Sequence, residues 1–319
     1  RQRGNIDLKT KVRVTRVVVD NGRAVGVDVV EAGALVRYTA DREVIVAAGA
    51  FNSPQLLLLS GIGPVDEMRQ HGITVVRELP GVGRNLQDHL DLLLQYRCLQ
   101  PVSWNPATAP LGRLKVGVEW LLFKRGIAAT NVSENVHSRQ GRPDAPYPNL
   151  QHHFAPVAIN YDGSGAIEGH AFQVHISQMR PRSRGSVTLR SADPLAAPRL
   201  RFNHLEDAED RQEIRDGIRI TRRLIGQKAF DRYRGDEIMP GADKSTDADL
   251  DAFARARVET SHHPSCTCRM GLDGMAVVDG DGRVHGIEQL RVIDASIMPD
   301  VVTANLNATV LMMAERLAD

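Results

Sequence analysis

The chain has 319 residues, enough for about two domains with cores of their own, and it is 42% hydrophobic and 25% charged with a formal net charge of +1. That balance gives no handle for nucleic acid or an acidic membrane surface, and no apolar run approaches the roughly 18 residues of a membrane span. Three cysteines, Cys98, Cys266 and Cys268, are too few for a disulfide framework, so a reducing, cytoplasmic setting is expected, with peripheral membrane association left open.

The chain opens on Arg1-Gln2-Arg3-Gly4, without an initiator Met, and runs straight into a strand, as expected of a piece of something longer. Residues 12–19 and 23–30 alternate as strands around Asp20-Asn21-Gly22, and an Asn-Gly pair accepts the positive φ angles of a tight hairpin turn. Residues 35–40 and 43–47 continue a small antiparallel meander into one buried strand, Val44-Ile45-Val46-Ala47. Next, Ser53 as a cap and Pro54 in the first turn predict a helix through Ser60, ended by Gly61 and Gly63. A strand, a glycine turn and a helix start present backbone N–H groups suited to phosphate or the polar edge of a cofactor.

The stretch from Leu90 to Ser261 has another texture. Strands are predicted near 149–159, 171–176 and 185–189, between turns bearing Pro and Gly. Residues 206–226 carry Ile214, Ile218, Ile220 and Leu224 at helical spacing, which predicts an amphipathic helix. The end returns to a strand over 290–294, a loop, and a helix from about Ala308 to Leu317. His262 and His263 with Cys266 and Cys268 lack the regular ligand spacing of zinc sites, so no metal is expected. Gly81-Val82-Gly83-Arg84-Asn85-Leu86 lacks a third glycine and a preceding buried strand, and reads as a plain turn.

Three blocks carry a resemblance. They are Gly49-Ala50-Phe51-Asn52-Ser53-Pro54 with the run to Pro64, His263-Pro264-Ser265-Cys266-Thr267-Cys268-Arg269-Met270-Gly271, and Asp294-Ala295-Ser296-Ile297-Met298-Pro299 followed by Asn305-Leu306-Asn307-Ala308-Thr309. Together with 79–89 and 277–286 they resemble the glucose-methanol-choline (GMC) oxidoreductases over nearly the whole chain. The wording of 264–268 and 278–286 resembles the bacterial choline dehydrogenase branch, although many relatives have Gly where this chain has Cys266. The resemblance implies an α/β plus α+β fold. A partial FAD-binding domain with a β-meander would take 1–95 and 262–319. A substrate-binding domain, a mostly antiparallel sheet with helices, would take 96–261. The family begins with a strand and a Gly-x-Gly-x-x-Gly turn for the ADP half of FAD, which this chain does not contain. A catalytically silent fragment is therefore one alternative.

The resemblance further implies FAD-dependent oxidation of a primary alcohol to its aldehyde by hydride transfer. Choline to betaine aldehyde, in glycine betaine synthesis, is the leading expectation and another aliphatic or aromatic alcohol the alternative. A quinone or oxygen would accept the electrons. His263 would be the base or alkoxide stabiliser, since an imidazole near neutral pKa suits proton handling, and Asn305 would bond the same oxygen from the other side. Val14 would meet adenine. Ala48, Gly49, Asp294 and Ala295 would lie near ribose and pyrophosphate, and Asn307 and Thr309 at the start of the last helix would lie near the flavin, with Asn307 as its cap. Choline carries a cation that cannot donate a hydrogen bond, so it needs a carboxylate, aromatic faces, or both. Glu134 resembles the family glutamate that meets this cation, although Asn135-Val136-His137-Ser138 depart from the usual apolar, Gly-rich continuation. His153 resembles a second pocket residue.

Overall fold

Alternating apolar and polar residues build the first three strands, β1 (Val12–Asp20), β2 (Arg23–Glu31) and β3 (Ala34–Thr39), into an antiparallel sheet in that order. Asn21 and Gly22 take φ of 47° and 79° at the hairpin, as the Asn-Gly pair predicted. The computed structural model describes residues 4–132, 135–163 and 165–318. Along them follow β4 (Val44–Val46), α1 (Gly49–Leu59), β5 (Ile62–Gly63), α2 (Val65–Gln70), β6 (Arg77–Glu78), β7 (Arg84–Leu86) and β8 (Leu90–Cys98). Next come α3 (Pro110–Phe123), β9 (Asn135–Arg139), β10 (Leu150–Ala155), β11 (Ile159–Asn160), β12 (Gly165–Ala166) and β13 (Ala171–Gln178). The remainder is β14 (Gly185–Thr188), β15 (Arg199–Arg201), α4 (Ala208–Ile225), β16 (Arg234–Met239), α5 (Asp247–Arg257), β17 (Glu259–Thr260), β18 (Leu290–Val292) and α6 (Leu306–Ala318).

The chain forms two compact units, one of residues 1–88, 183–204 and 263–319, the other of 89–182 and 205–262. This differs from the expected division at 95 and 262. The strand at 185–188, expected in the middle domain, pairs with β7 and β15 and so belongs to the first unit. Gly83 makes that pairing possible: a Cβ there would stand 2.2 Å from the Val187 carbonyl oxygen. Its glycine thus answers to a close backbone approach, not to a ligand.

In the first unit, β4 and β18 pair in parallel, Val44 with Leu290 and Val46 with Val292, far apart in sequence. Their buried side chains share a core with Val17, Leu57, Leu58, Val277 and Ile297. In the second unit, antiparallel strands run in the order β16-β8-β13-β10-β9, with β17 also on β8. Even-numbered residues of β8 and β13, among them Leu92, Leu94, Val174 and Ile176, pack against Ile214, Ile218 and Ile225 of α4. Leu224, expected on the same helix face, is exposed. The opposite sheet face is polar. No helix of the described residues is long and apolar enough to cross a membrane.

Two helix starts differ from the sequence reading. α1 begins at Gly49, so Ser53 lies inside it instead of capping it. α6 begins at Leu306, so Asn305 is the residue just before the helix and Asn307 lies in its first turn.

Candidate active site

His263 and Asn305 lie 42 positions apart, yet Asn305 Nδ2 stands 3.3 Å from His263 Nε2. When the amide donates to the ring, Nε2 is the nitrogen that accepts, the atom at which a proton can be taken up. Both residues belong to the first unit. His263 is half-buried and Asn305 exposed, so the pair is open to a small molecule.

The loop bearing His263 is stitched to the loop preceding α6. Backbone N–H groups of Cys266, Cys268 and Met270 donate to the carbonyls of Ala295, Ser296 and Ile297 at 3.1, 2.8 and 2.7 Å. Gln87 and Ser265 exchange backbone bonds in both directions. The His263 N–H donates to Asp88 Oδ1 at 3.0 Å. Gln87 also reaches the other loop: its Nε2 donates to Asp300 Oδ1 at 3.1 Å, and its Oε1 accepts from the Val301 N–H at 3.2 Å. Gln87 and Asp88 are both buried. They fix the two loops that present His263 and Asn305, a role sequence reasoning did not assign. Two adjacent polar residues at the mouth of a hydrophobic strand were the available signal.

The first block of the resemblance is tied to the other two. Pro54 has no N–H and cannot bond the Ala50 carbonyl along the helix, and the Thr267 hydroxyl donates to that carbonyl instead, at 2.7 Å. Asp294 is turned inward. Its Oδ2 accepts from the Gly49 N–H and the Ser53 hydroxyl at 2.9 and 2.5 Å, and its Oδ1 from the Ser296 N–H at 2.7 Å. It therefore holds the start of α1 through a carboxylate supplied from far along the chain.

The residues assigned to a cofactor fit a dinucleotide in kind. Gly49 has φ of 82° and nothing within 4 Å of where a Cβ would stand, a sterically open turn whose own N–H is taken by Asp294. Val14, Ala47, Ala48, Asn52 and Gln55 line one cavity of about 310 Å³, large enough for a flat base. Asn307 and Thr309 sit in the first turn of α6, which carries no acidic side chain to offset the positive end of the helix. Ala295 lends its carbonyl to Cys266. No group of three or more His, Cys, Asp or Glu that could hold a metal occurs among the described residues. Burial pushes the Cys266 thiol up to about 12 and raises Cys268 as well, so both are inert thiols rather than ligands.

Glu134 lies outside the described residues. His153 is on β10 in the second unit, its Nε2 2.9 Å from Gln151 Oε1, and burial first, then the charge of His175, lowers its pKa.

Family models described as GMC oxidoreductase match residues 1–91 and 181–314. The oxygen-dependent choline dehydrogenase of Burkholderia pseudomallei (strain 1710b) is 51% identical over 319 residues, covering 100% of this chain and 56% of the relative. That of Ectopseudomonas mendocina (strain ymp) is 50% identical over 321 residues, covering 100% and 57%. The chain thus spans little more than half the length of the curated relatives it matches. Among solved structures, a formate oxidase variant from Aspergillus oryzae RIB40 superposes with a TM-score of 0.91 at 28% identity, over 97% of this chain and 59% of that one. Pyridoxine 4-oxidase from Mesorbium loti does so with 0.83 at 29%, over 96% and 56%. The family models take in both ends of the chain, the three motif blocks interlock in one unit, and the chain belongs to the GMC oxidoreductases.

Proposed function

We propose that this chain is part of an FAD-dependent dehydrogenase that oxidises a primary alcohol to its aldehyde, choline to betaine aldehyde above all. The observation that carries the reading is the 3.3 Å approach of the Asn305 amide to His263 Nε2. FAD, when bound, supplies the hydride acceptor. The rest falls to this chain. An alcohol oxygen seated between the two groups gives its proton to Nε2 and takes a hydrogen bond from the amide. Asn305 does not titrate, so it polarises the oxygen without competing for the proton. Val14, Ala48, Gly49, Ala295, Asn307 and Thr309 would hold the cofactor. Asp294 acts one step back, by fixing the Gly49 turn. In this reading the first unit is a partial FAD-binding domain and the second binds substrate, with Glu134 and His153 among its contacts. The relatives named oxygen-dependent favour oxygen over a quinone as acceptor.

The test is substrate profiling of the complete, flavin-loaded protein. Turnover of choline is expected, and turnover of uncharged alcohols alone would replace choline with the second substrate class. His263→Ala should lower kcat roughly 10²–10⁴-fold with flavin still bound, and Asn305→Ala roughly 10²–10³-fold; wild-type turnover in either removes the role assigned here. The chain spans only 56% of its relative, which favours a second reading for these 319 residues taken alone, a catalytically silent piece. Added FAD that leaves no protein-bound flavin absorbance would support it.

A further inference from the structure

The α4 side of the second unit's sheet holds a cavity of about 550 Å³, a size typical of small-molecule sites. Phe154 of β10, Phe172 of β13, Phe230 and Tyr233 border it. The three Phe rings pack on one another, with centroids 5.4, 6.3 and 6.4 Å apart. Only seven Phe, five Tyr and two Trp occur in the 319 residues, so aromatic surface is concentrated here. Val136 and Leu224 in the lining are exposed, which leaves the cavity open to a molecule from solvent. It is not on the face to which His153 belongs, because His152 and His153 are neighbours on β10 and point to opposite sides of the sheet.

One polar side chain in this lining is without a partner. His152 is 3% exposed, and neither of its ring nitrogens makes a hydrogen bond. The Gly217 carbonyl is near enough to raise its pKa a little, yet that carbonyl accepts the Thr221 hydroxyl at 2.9 Å and makes no hydrogen bond to the ring. The His137 ring, across the strand pair, is centred 6.5 Å away. Burial, then the charge of His137, holds His152 at about 4, so the ring is neutral at pH 7 and offers one N–H donor and one acceptor nitrogen. A buried polar group left unsatisfied is costly and calls for an explanation. The χ2 torsion of an imidazole is soft, so the ring can turn a nitrogen toward an occupant.

We infer that this cavity is a binding site, separate from the His263–Asn305 pair, for an uncharged, flat aromatic molecule bearing one hydroxyl, with His152 as its hydrogen-bond partner. The rings supply apolar walls for a flat molecule. No Asp, Glu, Lys or Arg of the described residues lines the cavity, so neither an anion nor a cation is matched there. A hydroxyl both donates and accepts, as the neutral imidazole does.

The test titrates the complete, flavin-loaded protein at pH 7 with 2-naphthol and with naphthalene, which has the same rings without the hydroxyl. 2-Naphthol should bind with Kd on the order of 10–100 µM. In His152→Leu its Kd should rise roughly 3–10-fold, while that of naphthalene stays within about twofold. Cys98 lines the cavity and, unlike Cys266 and Cys268, is not fully buried, so its alkylation by N-ethylmaleimide reads occupancy in the unaltered protein. 2-Naphthol at about ten times its Kd should slow that alkylation roughly tenfold. Absence of binding to the complete protein would mean that the rest of the chain fills the cavity, and overturns the site. Binding that leaves the Cys98 rate unchanged puts the ligand elsewhere and overturns it too, as does a His152→Leu variant that binds both molecules as the wild type does.

Discussion

Cys266 holds φ at 72° in the left-handed region that favours glycine, with its side chain fully buried against Met298, Val301 and Leu306. A non-glycine residue there costs about 1–2 kcal/mol, and a buried sulfur in a packed cluster is worth about 1 kcal/mol. Cys266→Gly relieves the first and forfeits the second, so it should leave the melting temperature close to wild type. Cys266→Ala keeps the strain and loses the sulfur, and should melt lowest of the three, the reverse of the usual ranking of Ala over Gly. Thermal unfolding decides, and an alanine variant at least as stable as the glycine variant would show that no strain is stored. Thr267 makes the complementary point. Thr267→Val keeps the shape but strips the donor from the Ala50 carbonyl opposite Pro54. A buried acceptor left unbonded costs about 1–3 kcal/mol, and Thr267→Ser should recover most of it in denaturant titration.

The meander carries a buried charge of its own. Asp28, only 3% exposed, accepts from Arg37 Nε and Arg16 Nε at 2.7 Å each. Hydrogen bonding from Arg37, then from Arg16, outweighs burial and holds its pKa at about 2. A carboxyl depressed in the folded state stabilises it above the unfolded pKa, near 4, and that contribution fades as pH falls toward 2. Both arginines are half-exposed, so screening keeps the effect on the order of 1–2 kcal/mol. Hydrogen exchange in β1–β3 should accelerate between about pH 4 and 2, and Asp28→Asn should flatten that dependence while lowering protection at pH 7. A flat wild-type profile there would mean the arginines do not hold the carboxylate.

The two units should differ in their response to acid. His152, buried in the second unit, is held at about 4 chiefly by burial, with His137 adding to it. An imidazole depressed in the folded state stabilises it above the unfolded pKa of about 6.5, and that support drains away as pH falls toward 4, up to roughly 3 kcal/mol. Glu213 on α4 works in the other direction, its carboxyl raised by burial, so folding gains there as pH falls. The second unit should therefore lose protection between about pH 6.5 and 4, before the meander does. In His152→Leu that early loss should vanish from residue-resolved hydrogen exchange; its persistence would assign the loss to other groups.

Local pattern was legible wherever one element could be read by itself. The Asn21-Gly22 hairpin, the alternation of β1 and β2 and the helical spacing of Ile214 and Ile218 all have causes within a few residues. Helix starts were misread where the deciding partner is remote. α1 begins at Gly49 because Asp294, over 240 positions away, bonds its first N–H and the Ser53 hydroxyl. The strand at 185–188 was placed in the wrong unit for the same reason, since its partners on β7 are Leu86 and Arg84, about a hundred positions away. By itself, the sequence determined the motifs, and with them the family and the identities of His263 and Asn305, because those are properties of residue type and spacing. Only the tertiary structure decided that a ring nitrogen and an amide meet at 3.3 Å and that Gln87 and Asp88 hold their loops. Such facts depend on which backbones pair across long loops, and pairing is set by the burial of a whole core rather than by any one segment.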